Sequence, residues 1–128
     1  MRELGTEMEA KAREIVDAGF QVHRELGPDL LERVYESALV LELGSRGLSV
    51  QRQVLVPLHY KGVTLEDPLR LDLLVDQAII LEVKSVEAIL AVHKAQLLSY
   101  LRLSDLNLGF LMNFNVPAFK DGIRRIIR

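Results

Sequence analysis

Cysteine is absent, so neither disulfides nor thiolate metal sites can contribute, and the composition fits a reducing compartment. Tryptophan is missing too, and aromatic residues make up only 5% of the chain. No aromatic stacking platform and no groove-reading helix can be picked out. No apolar run reaches the ~18 residues that a membrane span needs. The opening stretch MRELGTEMEAKAREI is acidic and helical, unlike a signal peptide. A cytoplasmic protein with no membrane partner is the default. Nor does one sign of charge dominate: the formal net charge is −2, which gives no global pull towards nucleic acid. The distribution is uneven, however. Residues 1–50 carry ten acids and six bases, residues 51–128 carry eight acids and ten bases, and Lys120 to Arg128 holds four bases against one acid. A local basic face is therefore available to a phosphate backbone.

What is present is aliphatic. The chain has 128 residues, 49% of them hydrophobic and 27% charged, which predicts a single globular domain over residues 1–128. Such a chain buries roughly two-thirds of its unfolded surface. Residues 6 to 26 read as a helix, with Thr6 and Glu9 at capping-box spacing and Ala12, Ile15, Gly19, Val22 and Leu26 on one face. Gly27-Pro28 ends it. Asp29 is placed to cap a second helix from Leu30 to about Leu43, with Leu31, Val34, Tyr35, Ala38 and Leu41 facing the core and Glu32 and Glu36 on its flank. From Leu48 to Tyr60 the pattern turns to β, with Pro57 marking an edge or a bulge. Val63 to Leu65 can add a short strand. A third helix is expected from Val86 or Ala88 to Leu103, burying Leu90, Leu97, Leu98 and Leu101. Asn107 to Phe114 reads as a strand buried on both sides, and Ile123 to Arg128 as a last strand. A helix between a hairpin and a further strand is a crossover, so the sheet should be mixed and covered by helices.

The chain is organised around Leu69 to Lys84, LRLDLLVDQAIILEVK, which reads as two strands folded on each other. Side chains alternate along a strand, so Glu82 and Lys84 share a side with Ile80. A three-residue loop at Asp76, Gln77 and Ala78 pairs Val75 with Ile79 and Asp72 with Glu82. Directly opposed residues have Cβ atoms about 4.5–5.5 Å apart. A two-residue loop would instead send the two acids to opposite faces. By itself, Glu82-Val83-Lys84 is weak, since such a tripeptide is expected roughly once by chance in a chain this long. Its apolar neighbours make the strand look internal, where unpaired charge is costly. His93, Gln96 and Tyr100 recur on one face of the third helix. A polar stripe is most often a solvent face, but a tyrosine in it prefers partial burial.

Taken together, Glu32, Asp72, Glu82-x-Lys84 and Gln96-x-x-x-Tyr100 resemble the PD-(D/E)XK nuclease superfamily, with the QxxxY helix of its RecB-like branch. More closely, LGPDLLERVYESALVLEL, RLDLLVD, ILEVKSV and HKAQLLSYL resemble the small bacterial GxxExxY proteins grouped there. The likeness runs from about Val16 to Phe114. Asp29 stands where that pattern has its first glycine, and Leu71 where the superfamily has its proline; neither change removes a charged group.

The resemblance implies a restriction-endonuclease-like α/β (α+β) fold, a mixed sheet of four to five strands flanked by helices. It implies metal-dependent hydrolysis of phosphodiester bonds in nucleic acid, with DNA in preference to RNA. Asp72, Glu82 and the Val83 carbonyl would hold Mg²⁺, or Mn²⁺ in its place, through hard oxygen donors, with Glu32 adding a third carboxylate. Lys84 would either help deprotonate the attacking water or stabilise charge on the phosphorus. Gln96 would orient Lys84 or the phosphate, Tyr100 would hold the helix face or contact the backbone, and His93 is read as a bystander. The alternative is a nuclease fold that binds nucleic acid or a protein without cutting. The aliphatic composition also permits a homodimer.

Overall fold

The computed structural model describes residues 4–128. In chain order these form α1 (Thr6–Leu26), α2 (Glu32–Ser45), β1 (Val50–Val56), β2 (His59–Tyr60), β3 (Val63–Thr64), β4 (Leu69–Val75), β5 (Ile79–Lys84), α3 (Ala91–Ser104), β6 (Leu108–Asn113) and β7 (Ile123–Ile127), with a 3-10 turn at Phe119–Asp121. Five strands make one sheet in the order β1-β4-β5-β6-β7, while β2 and β3 pair with each other only. β5 and β6 are parallel and the other neighbours antiparallel. α3 is the crossover between the two parallel strands, as a parallel connection requires. The expected mixed sheet between helices is present, with five strands.

α1 and α2 cover one face over the larger core, where Tyr35 stacks on Phe114 at 4.3 Å between ring centroids. α3 covers the other face with Leu97 and Leu101, packed on Leu71, Leu74, Ile80 and Leu111. β6 is buried along its whole length, as its apolar run predicts. β1 is an edge strand, and Pro57 lies just beyond its end rather than in a bulge.

Several local expectations fail for identifiable reasons. No capping box forms at Thr6: Gly5 precedes the helix and no side chain caps it. Asp29 does not cap α2, which begins three residues later behind Leu31. Instead, Asp29 takes the left-handed conformation at φ 70°, and the Tyr35 hydroxyl closes the turn. That hydroxyl donates to the Gly27 carbonyl at 2.6 Å and accepts from the Leu30 amide at 3.2 Å. The buried side of α2 is Tyr35, Glu36, Leu39 and Leu43, while Leu31, Val34 and Leu41 are exposed. Leu26 and, on α3, Leu90 and Leu98 are exposed as well. α3 starts late because Ser85 and Val86 are tied elsewhere. The Asn113 amide donates to the Val86 carbonyl and accepts from the Val86 N–H, at 2.9 and 3.0 Å.

The β4–β5 hairpin has the three-residue loop on which convergence of the acids depends. Val75 opposes Ile79, Leu74 opposes Ile80 and Leu73 opposes Leu81. Asp76 and Gln77 both turn in the left-handed region.

One irregularity bears on everything downstream. Leu73 and Val75 pack on the α1/α2 side, yet Leu71 packs on the α3 side together with Leu74. Strict alternation would keep Leu71 with Leu73. β1 does the same: Val50 faces α1 and α2, whereas Val54 and Val56 face α3. The register is unshifted across the break, since Arg52 opposes Leu73 and Val54 opposes Leu71. No residue is inserted, so this is not a bulge. The intervening pair, Gln53 and Asp72, turns over, with Gln53 at φ 51°.

Candidate active site

Directly beyond Leu73 and Leu81 the β4–β5 ladder gives way to side-chain bonds. The Val83 N–H donates to Asp72 Oδ2 at 2.9 Å, and the Asp72 N–H donates to Glu82 Oε2 at 2.9 Å. Each acid thus bonds a backbone amide of the opposite strand. Asp72 Oδ1 and Glu82 Oε1 accept no hydrogen bond among the described residues.

Two carboxylates held this close repel. Glu82 is buried, and burial followed by the nearby Asp72 charge pushes its pKa up to about 8. Asp72 is raised too, mainly by burial, with Glu36 and Glu32 adding to it and the Val83 amide and Lys84 opposing it. The two titrate as one unit. Lys84 is half-buried, and its charge favours the ionised form of both acids. The pair therefore retains a proton near neutral pH, and a cation that displaces it would be held by the hard oxygen donors of both acids. That donor set suits a hard divalent cation. Among the described residues, no group of three or more His, Asp or Glu is clustered to hold a metal. Two acids converge without a third.

The remaining residues singled out by the sequence are placed unequally. Tyr100 is half-buried, and burial followed by the charges of Glu82 and Asp72 raises its pKa. Its hydroxyl therefore stays protonated beside the pair. Glu32, the first residue of α2, is exposed and its Oε2 accepts from the Ser85 N–H at 3.1 Å. It braces the chain just after Lys84. Gln96 is exposed on α3, one turn before Tyr100, and makes no hydrogen bond among the described residues. His93 is spent locally, its Nδ1 accepting from the Leu90 N–H at 2.9 Å.

Two residues escaped the sequence reading. Glu36 has a side chain only 7% exposed; its Oε1 accepts from Gln53 Nε2 at 3.0 Å and lies 3.6 Å from Arg52 Nη2. The one available signal was its position a turn after Glu32 on the same flank. Gln53 carries no sequence signal, because nothing local marks a glutamine for positive φ. Both line an open groove of about 960 Å³ with Asp29, Leu30, Leu31, Glu32, Arg33, Val34, Asp72 and Ser85. Asp72 thus reaches solvent through the α2 side.

Comparison with known proteins supports what the site suggests. No curated protein and no solved structure matches the chain. A family model described as the PD-(D/E)XK nuclease superfamily matches residues 9–126. That span contains every strand of the five-stranded sheet except the last residue of β7, together with the crossed pair of acids and Lys84. The fold is restriction-endonuclease-like, and the chain belongs to the PD-(D/E)XK nuclease superfamily.

Proposed function

We propose that this protein is a metal-dependent nuclease that hydrolyses phosphodiester bonds, DNA in preference to RNA, and that it falls in the GxxExxY branch of its superfamily. The observation that carries the activity is the crossed Asp72–Glu82 pair, which leaves one oxygen of each acid uncommitted among the described residues, beside Lys84. The branch assignment is supported by Glu32 and Tyr35 and by the backbone at residue 29. That branch has glycine there, and the φ of 70° is one that glycine accepts freely and aspartate better than most.

In this reading Asp72 and Glu82, with the Val83 carbonyl, hold Mg²⁺, and Mn²⁺ substitutes. When bound, the cation neutralises phosphate charge and acidifies the attacking water. Lys84 supplies a fixed positive charge where negative charge grows on the phosphate. Tyr100 donates its hydroxyl proton to a phosphate oxygen or to Glu82. Gln96, free on the same helix, meets the substrate backbone. Glu32 holds the Ser85 amide, and so fixes the strand end from which Lys84 projects, in place of the third-ligand role that its motif suggests. The sequence, free of cysteine, accords with a cytoplasmic setting.

A specific observation favours a second reading, a module that binds without cutting. The groove at Asp72 is lined by four acids against one base, Arg33, with Leu30, Leu31 and Val34 at its rim. Cleavage of labelled single- and double-stranded substrates with Mg²⁺ separates the two. Metal-dependent cleavage by wild type that is lost in Lys84→Ala and Asp72→Asn, with circular dichroism unchanged, is expected. Binding without cleavage, insensitive to metal and to Asp72→Asn, would replace the nuclease with the binding module.

A further inference from the structure

The turning-over of Gln53 and Asp72 needs a cause, because neither residue type prefers it. A left-handed conformation costs a non-glycine residue roughly 1–2 kcal/mol. Such strain persists only where the surroundings over-determine it. Here the surroundings are specific. The Gln53 side-chain amide is held by a carboxylate from α2, Glu36, whose own side chain is almost wholly buried. Arg52, next to Gln53, lies 3.6 Å from that carboxylate and donates to Ser37 Oγ of α2 at 3.3 Å. The edge strand is therefore pinned to α2 by side chains at the break and immediately before it. Opposite Gln53 sits Asp72, at the position where β4 changes face. Had β4 kept its alternation, Leu71 would lie with Leu73 on the α1/α2 side and the Asp72 side chain would project with Leu74, towards α3.

We propose that Glu36 and Gln53 are positioning residues for the site: Glu36 holds Gln53 in its left-handed conformation, and the turned-over strand pair aims the Asp72 carboxylate at the Val83 amide and into the groove. Glu36 thereby has a use for its buried charge that is not metal ligation. It acts on Asp72 through Gln53 and the β1–β4 register, and it adds to the negative field at both acids. The inference rests on the nuclease reading only for its consequence in metal affinity; the conformational claim stands apart from it.

The test uses the full chain without metal or substrate and reads hydrogen exchange at the Val83 and Asp72 amides, with β6 amides as internal reference. Gln53→Gly tolerates the backbone angle but removes the tether, and Glu36→Ala removes the anchor. Glu36→Gln keeps an acceptor for Gln53. Protection at Val83 and Asp72 should fall by about tenfold in Gln53→Gly and Glu36→Ala, the equivalent of one net hydrogen bond, while β6 is unchanged. Glu36→Gln should restore most of it. Should Glu36→Ala unfold globally, Gln53→Gly decides alone, since its backbone is relieved rather than strained. Wild-type protection at Val83 and Asp72 in Gln53→Gly would overturn the proposal, as would equal loss at β6. Mn²⁺ titration of the same variants then links the result to function: weaker binding that follows lost protection is expected. Lost protection in a protein that never binds metal would leave the positioning claim intact and sink the nuclease reading instead.

Discussion

Tyr35→Phe removes one oxygen from the most buried part of α2 and leaves everything else in place. The ring, fully buried and stacked on Phe114 at an interplanar angle of 10°, keeps its packing. What goes are two hydrogen bonds, to the Gly27 carbonyl and from the Leu30 amide. A typical bond contributes about 0.5–1.5 kcal/mol net, and more when a partner is stranded away from water. Leu30 is exposed and Gly27 half-buried, so water reaches part of the turn and the loss sits near the sum of two ordinary bonds, about 1–2 kcal/mol. For a domain of this length that lowers Tm by about 3–10 °C. Urea unfolding should show a lower midpoint at unchanged slope, because the surface exposed on unfolding is the same. The turn also delivers Glu32, so Ser85 amide exchange should quicken in the same variant. Tyr60→Phe is the control, its ring being exposed. Equal stability of Tyr35→Phe and wild type, within about 0.3 kcal/mol, would mean that solvent replaces the hydroxyl completely and that it does not hold the turn.

Further expectations concern charge and space. Glu82 holds its proton up to about pH 8 in the folded chain, against an ordinary value of 4.5. The native state therefore binds more protons than the unfolded one between those limits, so metal-free stability should fall as pH rises from about 5 to about 8. Asp72→Asn should flatten that slope, and a stability profile rising over the same interval would contradict the pairing. Gly122→Ala would drive a Cβ into the Asn113 carbonyl oxygen; since the obstacle is backbone, a loss of about 2–3 kcal/mol in urea unfolding is expected. Asp29→Gly exchanges left-handed strain for added freedom in the unfolded chain, so its stability should stay within about 0.5 kcal/mol of wild type. A large loss there would assign Asp29 a contact of its own.

Much of the scaffold was legible because its signals are local. Gly27-Pro28 stops α1 where period and punctuation agree, and the three residues between Val75 and Ile79 set the hairpin register by counting alone. β6 announced itself by length and uninterrupted apolarity. α2 was harder. Val34, Leu39, Val40, Leu41 and Leu43 run nearly all the way round it, so periodicity cannot choose a face; the stacking of Tyr35 on Phe114, far away in sequence, does. α3 begins downstream of where its sequence pattern points because Val86 is claimed by Asn113. At the site, the loop length brings Asp72 level with Glu82, but strand alternation alone would aim its side chain towards α3. Glu36 and Gln53 do not stand out, because a helical glutamate reads as solvated until a partner across the fold is known. Nothing in a β-run foretells a reversal shared by two strands.

The unequal covering of the sheet has a bearing on which element opens first. The α1/α2 side holds the larger aliphatic and aromatic core, whereas Tyr100 and Gln96 ride on a helix whose buried residues are Leu97 and Leu101. Local opening of α3 would move the Tyr100 hydroxyl and the Gln96 amide together, while Asp72 and Glu82 stay bonded to each other's strands.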